Sequence, residues 1–242
     1  MSKSLLILAL LAGTWASAQN FHVDNRPSQP ATSNLGPIQF VLDDGSAETS
    51  IGDDKPFFWF NRFTPNAADY PFRLDQVEIF WSSTYFTVGD QFSLYIYQDA
   101  DSNPVNGMDL LASYTVTINA VDAYDVYNLP DGPILTGPSG DLAVGCVNRF
   151  AATGATDFPA SIDTSSSQER SWAGSYSGVI TDPPEIPADA GFDTIDNFGF
   201  AGNWLIRASG TTVSTVPTLG QWGLGSMLVL LMAAGIYVGR KS

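Results

Sequence analysis

The sequence predicts an all-β fold, an antiparallel β-sandwich of jelly-roll type, on three observations. From Pro37 to Ala208 it is a series of short apolar or alternating runs separated by Gly, Pro, Asp and Asn. Those runs are rich in aromatic and β-branched residues, which suit half-buried pleated surfaces. No segment of this body sustains a helical stripe, so strands cannot alternate with helices as in an α/β fold.

The elements follow in chain order. Met1-Ser2-Lys3-Ser4, an apolar stretch over 5–13 and the small residues Ala16 and Ala18 read as a signal peptide, with signal peptidase cutting after Ala18. Residues 19–36 are rich in Asn, Ser, Pro and Gln without periodicity and read as a flexible lead-in. Strands are expected over 38–42, 57–63, 74–81, 92–97, 111–118, 124–129, 142–147, 171–179 and 203–208. Period-two alternation places Val77, Ile79 and Trp81 on one face, and Phe92, Leu94 and Ile96 on another. The Pro- and Asp-rich stretch 181–196 reads as a long surface loop, and 209–215, SGTTVST, as a polar linker. Residues 222–239 carry no charge and would form a helix ~27 Å long, enough to cross a hydrocarbon core. Arg240 and Lys241 follow at once, which places the C-terminus in the cytoplasm and the body outside.

Charge and cysteine content exclude several functions. The chain has 10 Lys and Arg against 25 Asp and Glu. Lys3, Arg240 and Lys241 belong to the terminal segments, so the body has seven basic residues against 25 acidic ones. Such a surface repels phosphate backbones, so no nucleic-acid partner is expected. Cys146 is the sole cysteine and lies in an apolar run, which excludes an internal disulfide and favours a buried side chain. His22 is the sole histidine and sits in the lead-in, so Ser-His-Asp and Cys-His catalysis and a histidine-rich zinc site lack their base or ligand. Paired carboxylates for glycoside hydrolysis remain available, but no pair is singled out.

Two acidic stretches have hard-cation spacing. Asp99, Asp101 and Asn103 supply oxygen ligands at alternate positions of a loop, as calcium loops do. Pro104 and Leu110 depart from the EF-hand pattern, and Asn106-Gly107 fits an ordinary polar hairpin, so both readings stay open. Asp43-Asp44-Gly45 with Glu48 forms a second cluster, which also reads as a turn. Trp59, Trp81, Trp172 and Tyr176 could stack on sugars or fill a core. Tyr95 and Tyr97 fall opposite Phe92, Leu94 and Ile96, and are the pair expected to be exposed for glycan stacking.

Val216-Pro217-Thr218-Leu219, then Trp222-Gly223, an apolar span and a basic tail resemble the IPTL-CTERM sorting signal of Gram-negative bacteria. The family has Ile where Val216 stands. The resemblance implies recognition by an exosortase-type transpeptidase, removal of the tail, and release or attachment at the cell surface. Pro217 disfavours helix just before it, and Trp222 suits a membrane interface. The body phrases DDGSAE (43–48), RFTP (62–65), YPFRLDQVEIFW (70–81), IDTSSS (162–167) followed by Arg170 and Trp172, and NWLIRA (203–208) resemble an uncharacterised β-sandwich domain of secreted bacterial proteins. That resemblance implies a fold and no activity. The expectation is an exported surface or matrix protein whose sandwich is a non-enzymatic module binding glycan or another surface protein, with calcium as the one cofactor in view. The alternatives are a purely structural component and a carboxylate-dependent hydrolase.

Overall fold

The computed structural model describes residues 21–24, 36–137, 139–148 and 158–213. The leader, most of the lead-in and the sorting segment 216–242 lie outside the described residues. Among the described residues no helix is long and apolar enough to cross a membrane.

The fold is all-β and every paired ladder is antiparallel. In chain order the strands are β1 (Phe21–Asp24), β2 (Ile38–Phe40), β3 (Thr49–Asp53), β4 (Phe57–Phe63), β5 (Phe72–Trp81), β6 (Gln91–Asp99), β7 (Asp109–Thr117) and β8 (Ala123–Asn128). They continue with β9 (Ile134–Leu135), β10 (Asp141–Asn148), β11 (Ala160–Asp163), β12 (Ser171–Ser175), β13 (Phe192–Thr194), β14 (Asn203–Trp204) and β15 (Ile206–Thr212). A six-stranded sheet runs β13-β12-β4-β10-β6-β7, and a five-stranded sheet runs β2-β15-β5-β8 with β9 beside β5. A smaller sheet, β1-β3-β11-β14, completes the body.

The expected alternation holds on the inner faces. Trp59, Leu94, Ile96, Val144 and Cys146 from the six-stranded sheet share one core with Val77, Ile79, Trp81 and Ile206 from the five-stranded sheet. Gly145 of β10 is needed for close packing, since a Cβ there would lie 2.3 Å from the Phe60 Cβ and from the Trp59 carbonyl oxygen. Asn61, fully buried, ties the sheets together by donating to the carbonyls of Trp204 and Ile206, both at 2.8 Å, while Ser171 Oγ donates to Asn61 Oδ1 at 2.6 Å.

The outer face of the six-stranded sheet departs from expectation. Phe58, Phe60, Tyr95, Tyr97, Val147, Trp172 and Tyr176 form a second core there, closed by Ile180 and Ala188. All seven residues of β4 are therefore buried. The stretch expected as a surface loop supplies this cover. Tyr95 OH donates to Asp182 Oδ1 at 2.8 Å, Tyr97 OH to the Pro184 carbonyl at 3.3 Å and Tyr176 OH to the Glu185 carbonyl at 2.8 Å. Each phenol thus keeps a partner while its ring is removed from water, as buried tyrosines require.

Other boundaries move for identifiable reasons. Part of the lead-in is strand β1, held on β3, with Phe21 packed against Phe57, Phe198 and Phe200. Residues 209–212 belong to β15 rather than to a linker, because their backbone pairs with β5 through Phe72. Strand β12 stops at Ser175, where the cover begins. Strands β3 and β11 were not expected: TSIGD and ASID are short and small, and their burial comes from neighbours distant in the chain.

Candidate cation centre

The DDGSAE phrase crosses the outer face of the five-stranded sheet. Gly45 takes φ 98°, and its N–H donates to Asp43 Oδ1 at 2.9 Å, closing a tight turn. Asp43 and Ala47 face the sheet. Asp43 is held by Arg207 through Nε and Nη2, the latter at 2.5 Å from Oδ1, and the guanidinium lies 4.2 Å from the centre of the Tyr124 ring. Ala47 packs with Phe80, Tyr124 and Leu205.

With those two residues fixed, Asp44 and Glu48 turn toward the end of β11. Carboxylate oxygens of Asp44, Glu48 and Asp163 lie within 4.8 Å of one another. The Asp44 N–H donates to Asp163 Oδ2 at 2.9 Å, and the Thr164 N–H donates to Glu48 Oε2 at 2.8 Å, so the two segments hold each other in register. Ser46 Oγ bridges, 2.7 Å from Asp44 Oδ1 and 2.6 Å from Glu48 Oε1. The Ser46 hydroxyl and N–H hold the Asp44 carboxyl below the ordinary carboxylate range. Asp163 is fully buried, Glu48 half-buried and Asp44 exposed, so the cluster opens to solvent on one side.

These residues fit a hard divalent cation. Calcium takes six to eight oxygens, often carboxylates with hydroxyls and water. Each ionised carboxylate has about four lone-pair sites, and the contacts above engage only some of them. A cation would also relieve the mutual repulsion of three clustered carboxylates. Asp163 was missed in the sequence because it lies 119 positions from Asp44. The signal available was the IDTSSS phrase, which the structure places against DDGSAE.

The other calcium candidate is arranged differently. Asp99 is buried at the end of β6, with Oδ2 3.5 Å from Arg62 Nη2, and the Asn103 N–H donates to Asp99 Oδ1 at 3.0 Å and to Asp101 Oδ1 at 3.1 Å. Asn106 Nδ2 donates to Asp101 Oδ2 at 2.7 Å. Burial pushes the Asp99 carboxyl up, against the hydrogen bond from Asn103. The loop thus closes on itself, with Asp101 and Asn103 exposed and Asp99 turned in toward a guanidinium. Arg62 also pairs with Asp141, whose other oxygen is 2.7 Å from Arg170 Nη2. Burial would raise the Asp141 carboxyl, but Thr64, Arg170 and Arg62 together outweigh it and hold the group below its ordinary value.

The tyrosine pair is corrected outright. Tyr95 and Tyr97 are 1% and 3% exposed, so neither offers a ring face to a sugar. Trp59, Trp81, Trp172 and Tyr176 are buried as well. Cys146 is fully buried and its thiol is pushed up by burial, which makes it a packing residue rather than a nucleophile. His22 lies on β1, its backbone opposite Gly52. The sorting residues Val216, Pro217, Thr218, Leu219, Trp222 and Gly223, the tail Arg240 and Lys241, and the leader residues Ala16 and Ala18 lie outside the described residues.

No family model matches the chain. No curated protein matches it either. Among solved structures it is similar to a clostridial cysteine protease, Cwp84, after propeptide cleavage, with 18% identity and a TM-score of 0.41 over 80% of this chain and 41% of that one. The chain spans less than half the length of that protein, and a likeness at this level says nothing of activity.

Proposed function

We propose that this protein is an exported surface component whose jelly-roll sandwich is a non-catalytic binding module organised by a divalent cation, calcium by preference. The observation that carries the cation reading is the convergence of Asp44, Glu48 and Asp163, from segments far apart in the chain, on one partly open cluster. The strand order supports the jelly roll. Without the added β12 and β13 it reads β2-β15-β5-β8 against β4-β10-β6-β7, the interleaving of two Greek keys. A non-catalytic reading is supported by the buried thiol of Cys146 and by the confinement of the one histidine to β1. With the tyrosine faces covered, glycan or protein recognition falls to the loops and margins of the sandwich.

Export and sorting rest on the leader and on the VPTL phrase, which begins four residues beyond the last residue of β15. An exosortase-type enzyme would cut there and leave the sandwich at or beyond the cell surface. Thermal unfolding of the intact chain tests the cation: calcium in excess raises the midpoint relative to chelator, by about 2.7 kcal/mol of stability at a hundredfold excess over Kd. An unchanged midpoint would exclude it. The sorting reading predicts that Pro217→Ala with Thr218→Ala leaves a full-length, membrane-bound protein in a host carrying the processing enzyme. Normal trimming of that variant would count against the phrase.

A further inference from the structure

The loop between β12 and β13 encloses a cavity of its own. β12 ends at Ser175 and β13 starts at Phe192. Two bonds close the neck between them: the Ser175 N–H donates to the Gly191 carbonyl at 2.8 Å, and the Ala190 N–H to the Ser175 carbonyl at 2.9 Å. Ser177 crosses just above, donating its N–H to Asp189 Oδ1 at 2.9 Å and its hydroxyl to Asp189 Oδ2. The Tyr176 hydroxyl reaches the far arm at the Glu185 carbonyl. A segment whose ends meet and whose own side chains brace its arms is a compact Ω-type loop. Between the arms lies a cavity of about 200 Å³.

The lining selects an occupant. Pockets for small ligands measure roughly 300–1,000 Å³, so this one has room for a single side chain. Tyr176, 6% exposed, is its inner end, because it also belongs to the second core, while Val179 and Pro187 are exposed apolar walls. Too little of the Tyr176 ring is open for a sugar to stack on it. The remaining side chains include two acids, Glu185 and Asp189. The Ser177 hydroxyl and N–H hold the Asp189 carboxyl below the ordinary carboxylate range. Among the described residues none donates to the Glu185 carboxylate, which is exposed. The charge of Lys55 reaches Asp189, but Lys55 does not line the cavity, and no described lining residue is basic.

We propose that this cavity receives one basic side chain, lysine or arginine, presented by a protein partner. The aliphatic stem packs along Val179 and Pro187, as long basic side chains do on apolar surface. The cationic head is met by the Glu185 and Asp189 carboxylates in charge-assisted hydrogen bonds. A chain with 25 acidic residues against 10 basic ones also draws a basic partner toward it from a distance. The proposal rests on the reading of the sandwich as a binding module, but not on its cation, since the cavity shares no residue with the Asp44, Glu48 and Asp163 cluster.

Ligand-detected NMR titration of the intact chain with Nα-acetyl-lysine methylamide tests this, with the arginine and norleucine counterparts alongside. The expected result is saturable binding of the lysine or the arginine probe, at least about tenfold tighter than that of norleucine, which keeps the stem and lacks the charge. Glu185→Gln, at an exposed side chain, weakens that binding several-fold. Asp131→Asn, which removes an exposed charge between β8 and β9 on the other sheet, leaves it unchanged. Absence of saturable binding, norleucine binding as tightly as lysine, or equal losses in the two variants (the mark of net charge alone) would each overturn the proposal. Thermal unfolding with calcium reads the cation separately. Lysine or arginine binding without a calcium response removes the cation centre and leaves this site, and a calcium response without probe binding does the reverse.

Discussion

Replacing Arg207 by Leu is expected to destabilise the protein by about 3–5 kcal/mol, the cost of leaving one member of a buried ion pair without the other. The Asp43 carboxylate is fully buried and takes its charge balance from that guanidinium, at 2.5 Å. Its side chain is closed off from solvent under the DDGSAE segment, whose Ala47 packs with Phe80, Tyr124 and Leu205. The loss should lower the thermal midpoint by on the order of 10 °C in a domain of this size. Asp43→Asn in the same background recovers much of it, since a neutral amide no longer needs a cation. An exposed pair would give 0–1 kcal/mol and no rescue, so the two measurements separate an organising contact from an ornamental one. The variant also perturbs Asp44 and Glu48, whose placement depends on Asp43 facing down, so under the proposed cation reading it is expected to weaken binding at that cluster without removing a ligand.

The second large effect is expected at Tyr95. On an exposed sugar-stacking platform, Tyr95→Ala would change stability by no more than about 0.5 kcal/mol. Under its cover, where the ring is 1% exposed and packs edge-on against Phe58 with their centroids 6.2 Å apart, the same change leaves a cavity and costs about 3–5 kcal/mol. Tyr95→Phe isolates the hydroxyl. It keeps the ring, removes the bond to Asp182 and costs about 1 kcal/mol. Denaturant unfolding of the two variants distinguishes the readings, since only a buried ring makes alanine several times worse than phenylalanine.

These two sites show what the sequence could and could not disclose. Alternation correctly put Val77, Ile79 and Trp81 on one face and Phe92, Leu94 and Ile96 on another, because pleating sets the side-chain period by local geometry alone. It could not say what lies over the opposite face. The cover of Tyr95 and Tyr97 is a Pro- and Asp-rich segment with no periodicity, and its grip on them comes from one carbonyl and one carboxylate, each meeting a phenol 87 positions away. The candidate cation centre was half visible for the same reason. Asp44 and Glu48 are close in sequence, but Asp163 joins them only through β11 pairing with β3. The Asp99 loop had the more suggestive spacing, and the fold turned its first ligand inward to Arg62. The phrases that resemble a secreted sandwich domain proved informative in space: DDGSAE meets NWLIRA through Asp43 and Arg207, and meets IDTSSS through Asp44, Glu48 and Asp163.

Titration of the intact chain with calcium, followed by calorimetry, tests the central claim most directly. One site per chain is expected. It should persist in Asp99→Asn, and disappear in Glu48→Gln and in Asp163→Asn, each of which keeps one of the two side-chain oxygens that accept hydrogen bonds there. Heat of binding that is absent from the wild type, or that survives both substitutions and falls with Asp99→Asn, would contradict a cation centre formed by Asp44, Glu48 and Asp163.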